Sequence, residues 1–225
     1  MKNIEILYED DFCMVINKPA GLAVQGGKGV KTSLDKLLAE IRNPPPLLVH
    51  RLDKDTSGVI LTAKGREEAA RFSRFFGTSR KAVKLYIAVC SGRPEQGEGV
   101  ITDKLLIKGS LKTSDTRYKL IKSGKLNLAE DRDSSHSDSA AVQEFSILEI
   151  ELGTGRMHQI RRHLAMKGNP VLGDDKYGDF SLNKKLRKAI GLKRLLLHAS
   201  RIIINDRASM DIQAPLPEYF RSFFA

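Results

Sequence analysis

Most apolar positions in the chain fall in short runs of strand length, and a helical period takes over in only a few places. Residues 4–8 and 12–17 read as two strands joined at the acidic turn Glu9-Asp10-Asp11. Lys18-Pro19-Ala20-Gly21 stops the second, and Gln25-Gly26-Gly27-Lys28-Gly29 has loop composition. Thr32 or Ser33 then caps a helix whose Leu34, Leu37, Leu38 and Ile41 follow helical spacing, and Pro44-Pro45-Pro46 ends it. Leu47-Leu48-Val49 is a short strand, and Val59-Ile60-Leu61-Thr62 is another after a polar turn. Residues 65–77 carry Ala69, Phe72, Phe75 and Phe76 as a helical stripe. Strands follow near 84–90, 99–107, 116–121 and 141–151. Within them the polar stretch 123–139 predicts an exposed loop inside a hairpin. A helix is expected over 157–167 and strands over 194–205 and 208–213. Pro217 opens a last helix bearing Phe220, Phe223 and Phe224. Strands outnumber helices without regular alternation, which predicts an α+β fold built on a large, mixed, mostly antiparallel sheet.

A chain of 225 residues with 41% hydrophobic residues can bury a core of its own, and one domain over residues 1–225 is the expectation. No apolar run reaches bilayer length. The start, Met1-Lys2-Asn3-Ile4-Glu5, lacks the pattern of a signal peptide, so a cytoplasmic protein is expected. Cys13 and Cys90 each sit in an apolar run and are expected to be reduced and packed as small hydrophobes. Charge says more: 38 Lys and Arg against 27 Asp and Glu give +11, a surface that attracts polyanions. Trp is absent and aromatics are 6%, which argues against a dense stacking platform for single strands.

Two segments concentrate groups able to do chemistry. His50-Arg51-Leu52-Asp53-Lys54-Asp55-Thr56-Ser57-Gly58 places two carboxylates in a turn between apolar strands. Turns use those residues anyway, but a loop on a rigid sheet is also where substrates are met. Gly153-Thr154-Gly155-Arg156-Met157-His158-Gln159-Ile160-Arg161-Arg162-His163 opens a basic helix. His158 and His163 are five apart, off one helical face, and no Cys or acidic cluster joins them, so a zinc site is rejected. An anion site at this helix start stays open, with Arg156, Arg161 and Arg162 nearby. An Arg here could hold a phosphate or keep a carboxylate ionised. No Ser–His–Asp triad can be assigned, and Gly153-Thr154-Gly155 is no dinucleotide loop.

Taken together, these segments resemble the RluA-type family of pseudouridine synthases. His50-Arg51-Leu52-Asp53 with Lys54-Asp55-Thr56-Ser57-Gly58 is similar to the family's signature around its catalytic aspartate. Asn17-Lys18-Pro19-Ala20-Gly21 resembles its early Lys-Pro loop, and Lys84-Leu85-Tyr86-Ile87-Ala88-Val89 the strand with its active-site tyrosine. Thr154-Gly155-Arg156-Met157-His158-Gln159-Ile160-Arg161 resembles its third motif. Gly168 through Gly178 and Leu197-His198-Ala199 extend the likeness, which runs in order from about Ile6 to Phe220.

The resemblance implies a catalytic fold with a central RNA cleft, no metal and no organic cofactor. It implies Asp53 as catalytic carboxylate, Arg161 as its charge partner, and Tyr86 as a platform for the uracil and a candidate base. Arg51 is then a candidate for phosphate contact or for propping open the flipped site, and His50 for orienting the loop. Lys18, Arg156 and Lys176 are candidates for RNA contacts, while Asp55 caps the turn with Thr56 and Ser57. Gly21-Leu22-Ala23-Val24-Gln25-Gly26-Gly27 is closest to the branch acting on large-subunit ribosomal RNA. That makes ribosomal RNA the expected partner, with transfer RNA the alternative. Many members carry a small RNA-binding module ahead of this domain, and none is expected here. A monomer is expected, for want of a large exposed apolar stripe. The rivals are a non-catalytic RNA-binding or ribosome-assembly protein on this scaffold, and a small-molecule hydrolase using Asp53 and His50.

Overall fold

The computed structural model describes residues 4–77, 81–107, 109–128, 141–206 and 209–224. Among these, ten strands join in one sheet: β1 (Glu5–Glu9), β2 (Cys13–Lys18), β3 (Leu47–Leu48), β4 (Ser57–Ala63), β5 (Ala82–Ser91), β6 (Glu98–Ile107), β7 (Ser110–Leu128), β8 (Ala141–Leu152), β9 (Leu197–Ile204) and β10 (Met210–Gln213). The helices are α1 (Leu34–Ile41), α2 (Arg66–Phe76), α3 (Gln159–Met166), α4 (Phe180–Ile190) and α5 (Arg221–Phe224). The strand order is β1-β2-β4-β9-β5-β8-β7-β6, with β10 on β9 and β3 on β4. The expected mixed, mostly antiparallel sheet is present, and its parallel pair is β4 with β9.

That pair joins the two halves of the sheet through Ser57 opposite His198 and Gly58 opposite Ala199. The strands close up because position 58 has no side chain. A Cβ there would lie 2.1 Å from the Ala199 carbonyl oxygen, and φ is +111°, a conformation L residues rarely adopt. All seven residues of β4 are buried, as a central strand covered on both faces requires.

Alternation in β2 sorts the core into two layers. Cys13 and Val15 pack with Val59, Leu61, Ile202 and Ile204 beneath Phe72 and Phe75 of α2. Met14 and Ile16 face the larger layer, which takes Leu34 and Leu38 of α1, Ile160 and Leu164 of α3, Leu182 and Leu186 of α4, and Phe220 and Phe223. Each such buried side chain contributes about 1.5–3 kcal/mol. The buried Cys13 and Cys90 fit their reading as core residues. No helix among the described residues is long and apolar enough to cross a membrane.

The structure departs from the sequence reading in several places. Ser123 to Leu128 are not loop: they prolong β7, paired from Ser123 opposite Ser146 to Leu128 opposite Ala141. Gly124 leaves room for the Phe145 ring, and Leu128 packs inward. Residues 129–140, the rest of that expected loop, lie outside the described residues. Helix α4 was not anticipated, although its signals are present. The Asp179 carboxylate accepts from Leu182 N–H at 2.9 Å, and Gly191 closes the helix at φ +68°. Ser33 stands at the N-cap of α1, but its hydroxyl bonds Asp35 rather than the backbone. Pro217 precedes a 3-10 turn, Glu218–Phe220, before α5.

Candidate active site

The site lies where the two halves of the sheet meet. Asp53 is in the turn leading into β4, Tyr86 is on β5, and β9 runs between those strands. The Thr56 N–H closes the turn on the Asp53 carbonyl at 3.2 Å. Ser57 does not cap it. Its hydroxyl bonds His198 Nδ1 (2.9 Å) and the Tyr219 hydroxyl (3.0 Å), which ties the C-terminal segment beneath the loop.

Lys18 is the clearest correction. Expected to contact RNA, it is fully buried. Its Nζ donates to the carbonyls of Pro19 (3.0 Å), Leu22 (2.9 Å) and Lys54 (3.0 Å). Three carbonyls take the three N–H donors of an ammonium, so the side chain knots the early loop to the residue after Asp53. Burial pulls its pKa down to about 7, against the opposing pull of Asp55 and Asp53.

The loop before α3 is held by one buried amide. Gln159 Oε1 accepts from the Thr154 hydroxyl (2.7 Å) and Arg156 N–H (3.0 Å). Its Nε2 donates to the Asp115 carbonyl (2.8 Å) and the Thr116 hydroxyl (3.0 Å) on β7. Gln159 thus fixes the start of α3 against the sheet and swings His158 into the left-handed region at φ +53°. Among the described residues it is the one non-glycine there, a strain that concentrates at functional sites.

Asp53 stands between two partners. Arg161 Nη1 lies 3.7 Å from Oδ2, and His158 Nε2 lies 3.8 Å from Oδ1. Arg161 is itself clamped by Asp174, Nε to Oδ2 and Nη2 to Oδ1, both at 2.7 Å. It also lies 3.6 Å from Asp175. Burial works against the Asp174 carboxylate. The Arg161 fork and the N–H groups of Tyr177 and Lys176 outweigh it and hold its pKa below the usual range. The helix-start arginine therefore serves carboxylates, one of the two roles the sequence left open. His158 Nδ1 meets the Tyr177 hydroxyl at 3.0 Å; if that hydroxyl donates, the ring proton sits on Nε2, facing Asp53. Burial lowers the pKa of His158 while Asp53 pulls the other way.

These groups line a cavity of about 780 Å³, within the rough 300–1,000 Å³ range of small-molecule sites. Asp53, Tyr86, His50, Arg51, Arg156 and Arg161 all border it; Lys176 does not. The Lys176 ammonium stands 5.5 Å from the Tyr177 ring centre. Tyr86 is buried, and burial followed by the Asp53 charge pushes its hydroxyl pKa up, so it enters as the neutral phenol. His50 is a spacer in the wall: its Nε2 accepts from Leu61 N–H (2.9 Å) and its ring lies on Phe76 with centroids 4.2 Å apart. Arg51 and Arg156 are exposed at the opening.

Sequence reasoning missed His158 as a neighbour of Asp53, Asp174 as the clamp on Arg161, and Lys84. Lys84 and Tyr86 are two apart on β5 and share a face, so the pattern of that strand was the available signal. The Lys84 ammonium lines the cavity 5.9 Å from the Phe76 ring centre, and burial lowers its pKa. No cluster of three or more His, Cys, Asp or Glu side chains suited to a metal occurs among the described residues.

Comparison with known proteins agrees with this arrangement. A family model described as RNA pseudouridylate synthase matches residues 12–166. A ribosomal large subunit pseudouridine synthase C from Rickettsia felis is 35% identical, over 97% of this chain and 70% of that protein. One of the same name from Haemophilus ducreyi is also 35% identical, over 98% and 68%. Among solved structures, human RNA pseudouridylate synthase domain containing 4 superposes with a TM-score of 0.74 at 26% identity, over 96% of this chain and 90% of that one. Human RNA pseudouridylate synthase domain containing 1 shares the fold, with a TM-score of 0.74 at 24% identity over 95% and 84%. A family match across most of the chain and relatives similar along nearly its whole length lead to one conclusion: the chain belongs to the RNA pseudouridylate synthases.

Proposed function

We propose that this pseudouridine synthase isomerises uridines of large-subunit ribosomal RNA, with Asp53 as its catalytic carboxylate. The observation that carries the chemistry is the Asp53 carboxylate on the cavity wall between Arg161 and His158. The names of the relatives above support the ribosomal target.

The reaction breaks the N1–C1′ bond of uridine and forms a C5–C1′ bond. N1 gains a proton and C5 loses one, so no atoms are exchanged overall. The freed uracil must turn over without escaping, which asks for a closed pocket and a nucleotide flipped out of its helix or loop. Arg161, buried and with Nη1 3.7 Å from Asp53 Oδ2, is placed to orient the carboxylate for covalent addition to the sugar or for its deprotonation. Tyr86 supplies a flat, apolar floor for the ring. Its neutral phenol favours that platform role over removal of the C5 proton. Arg51 and Arg156, exposed at the opening, suit phosphate contact.

The test is a single-turnover reaction on unmodified ribosomal and transfer RNA, with pseudouridine read by chemical tagging, beside Asp53→Asn. The expected result is product in large-subunit ribosomal RNA, a loss of at least about a thousandfold in the variant, and unchanged RNA affinity. Equal rates in variant and wild type would overturn Asp53. Product confined to transfer RNA would overturn the ribosomal target.

A further inference from the structure

We infer that the outer face of α4, with Lys193 and Arg194 after it, is a second RNA-binding surface that grips backbone phosphates beyond the flipped nucleotide. The inference rests on the RNA-modifying activity of the family and adds a contact site outside the cleft.

Residues 184–194 run Lys-Lys-Leu-Arg-Lys-Ala-Ile-Gly-Leu-Lys-Arg: six cations and no acid. All six cations are exposed. The two leucines of the helix, Leu182 and Leu186, are buried in the larger core layer, so the helix is pinned on one side and basic on the other. A charge run on a helix is commonly only a solvated face. Three observations make this one more than that.

The first is its attachment. Residues 174–193 leave and return to the same point: a Cβ at Gly173 would meet the Arg194 carbonyl oxygen at 2.0 Å. The departure point is the clamp on the catalytic arginine. Asn183 Nδ2 donates to the Asp174 carbonyl (2.8 Å), and Gly173 N–H donates to Asn183 Oδ1 (2.9 Å). The second is its return. The Arg194 guanidinium rests on Gly21, whose own N–H donates to the Lys54 carbonyl next to Asp53. The basic face therefore starts and ends at residues that support the catalytic loop. The third is charge complementarity. The substrate class of the family is a polyanion, and none of these six side chains lines the cavity, so the face would meet a part of the RNA the cavity does not hold.

Eleven helical residues span about 16 Å at roughly 1.5 Å each. At about 3.4 Å of rise per phosphate along one strand, that covers on the order of five nucleotides. Contacts of this kind set affinity and register and leave the chemical step alone.

The experiment measures binding by fluorescence anisotropy, apart from pseudouridine formation, so a failure of the Asp53 assignment does not touch it. The proteins are wild type, Lys184→Glu/Lys185→Glu/Arg187→Glu, and the corresponding Gln triple variant, which avoids placing acids near the helix C-terminus. The probes are an unmodified large-subunit ribosomal RNA transcript and a labelled oligouridine of about two nucleotides, too short to span the face at about 3.4 Å per phosphate. Vesicles of phosphatidylserine form a third arm. We expect the Glu variant to bind the transcript about tenfold more weakly, with the slope of log affinity against log salt reduced by roughly 2–3. The Gln variant moves the same way, and oligouridine binding is unchanged in both. Transcript binding and slope equal to wild type would overturn the inference. So would an equal loss on oligouridine, which would place the effect in the cleft, or a loss confined to the vesicles.

Discussion

Asp174→Asn isolates the clamp on Arg161 with almost no change in volume. Asp174 is fully buried and Arg161 nearly so, which removes solvent screening as an objection. Oδ1 accepts from Arg161 Nη2, Lys176 N and Tyr177 N, and Oδ2 accepts from Arg161 Nε. An amide keeps its oxygen at the first position and turns an NH2 against the Nε–H at the second. One charge-assisted bond is lost, worth about 1.5–3 kcal/mol, and a buried guanidinium loses a counter-charge. Breaking a buried pair by removing one partner costs about 3–5 kcal/mol, so we expect about 3 kcal/mol or more. That is a large part of the roughly 5–15 kcal/mol total for a natural domain. Urea unfolding at neutral pH reads it as a lower midpoint. The pH dependence gives a second check. The folded pKa of Asp174 is lowered, so its contribution is complete above the unfolded value of about 3.9 and drains as pH falls through the lower folded one. The gap between wild type and variant should therefore be constant near neutrality and narrow in acid. A midpoint within error of wild type, or a gap that widens in acid, would refute the reasoning.

Acid should weaken the wild type through two histidines. Burial lowers the pKa of His50 to about 3, with Lys84 adding to it, and burial lowers that of His198 to about 4. Both contributions are present above about 6.5 and fade as pH falls below it. Urea midpoints should drop between about pH 6.5 and 4, by at most about 2.7 kcal/mol per pH unit for two protons; a flat profile there would contradict the assignment. Lys18→Met should remove the donor from the buried Leu22 carbonyl and from the part-buried carbonyls of Pro19 and Lys54, the last of which keeps Gly21 N–H, lowering stability by about 1–3 kcal/mol at neutral pH, read as a lower urea midpoint. A variant as stable as wild type but weakened in RNA binding would restore the surface role that burial contradicts.

The local periods of the chain made most strands legible, because a sheet whose central strands are buried on both faces leaves unbroken apolar runs such as Val59 to Leu61. Helix α4 was passed over because its apolar face is narrow, Leu182 and Leu186 in a field of lysines. The cap at Asp179 and the glycine at 191 were the readable clues. Ser123 to Leu128 look like a loop by composition and become strand because β8 offers them a complete ladder, a tertiary override of propensity. At the site, the ordered motifs led to Asp53, Tyr86 and Arg161, but which charge meets which was not readable. Arg161 finds Asp174 only thirteen residues on, yet it reaches Asp53 across the sheet. Lys18 illustrates the limit best: a lysine in a basic protein reads as surface, and only the three carbonyls turned on it show otherwise.

The placement of β9 between the strands of Asp53 and Tyr86 sets the order in which this enzyme can come alive on the ribosome. Synthesis delivers the Asp53 loop, β4, β5 and the His158–Arg161 segment well before Leu197 emerges. Until then β4 and β5 have no ladder between them, and every acid, arginine and tyrosine of the pocket exists without a pocket. A nascent or truncated chain that stops ahead of Leu197 carries the full chemical inventory and much of the positive charge. What it lacks is the strand that brings the two halves together, which is among the last to be made.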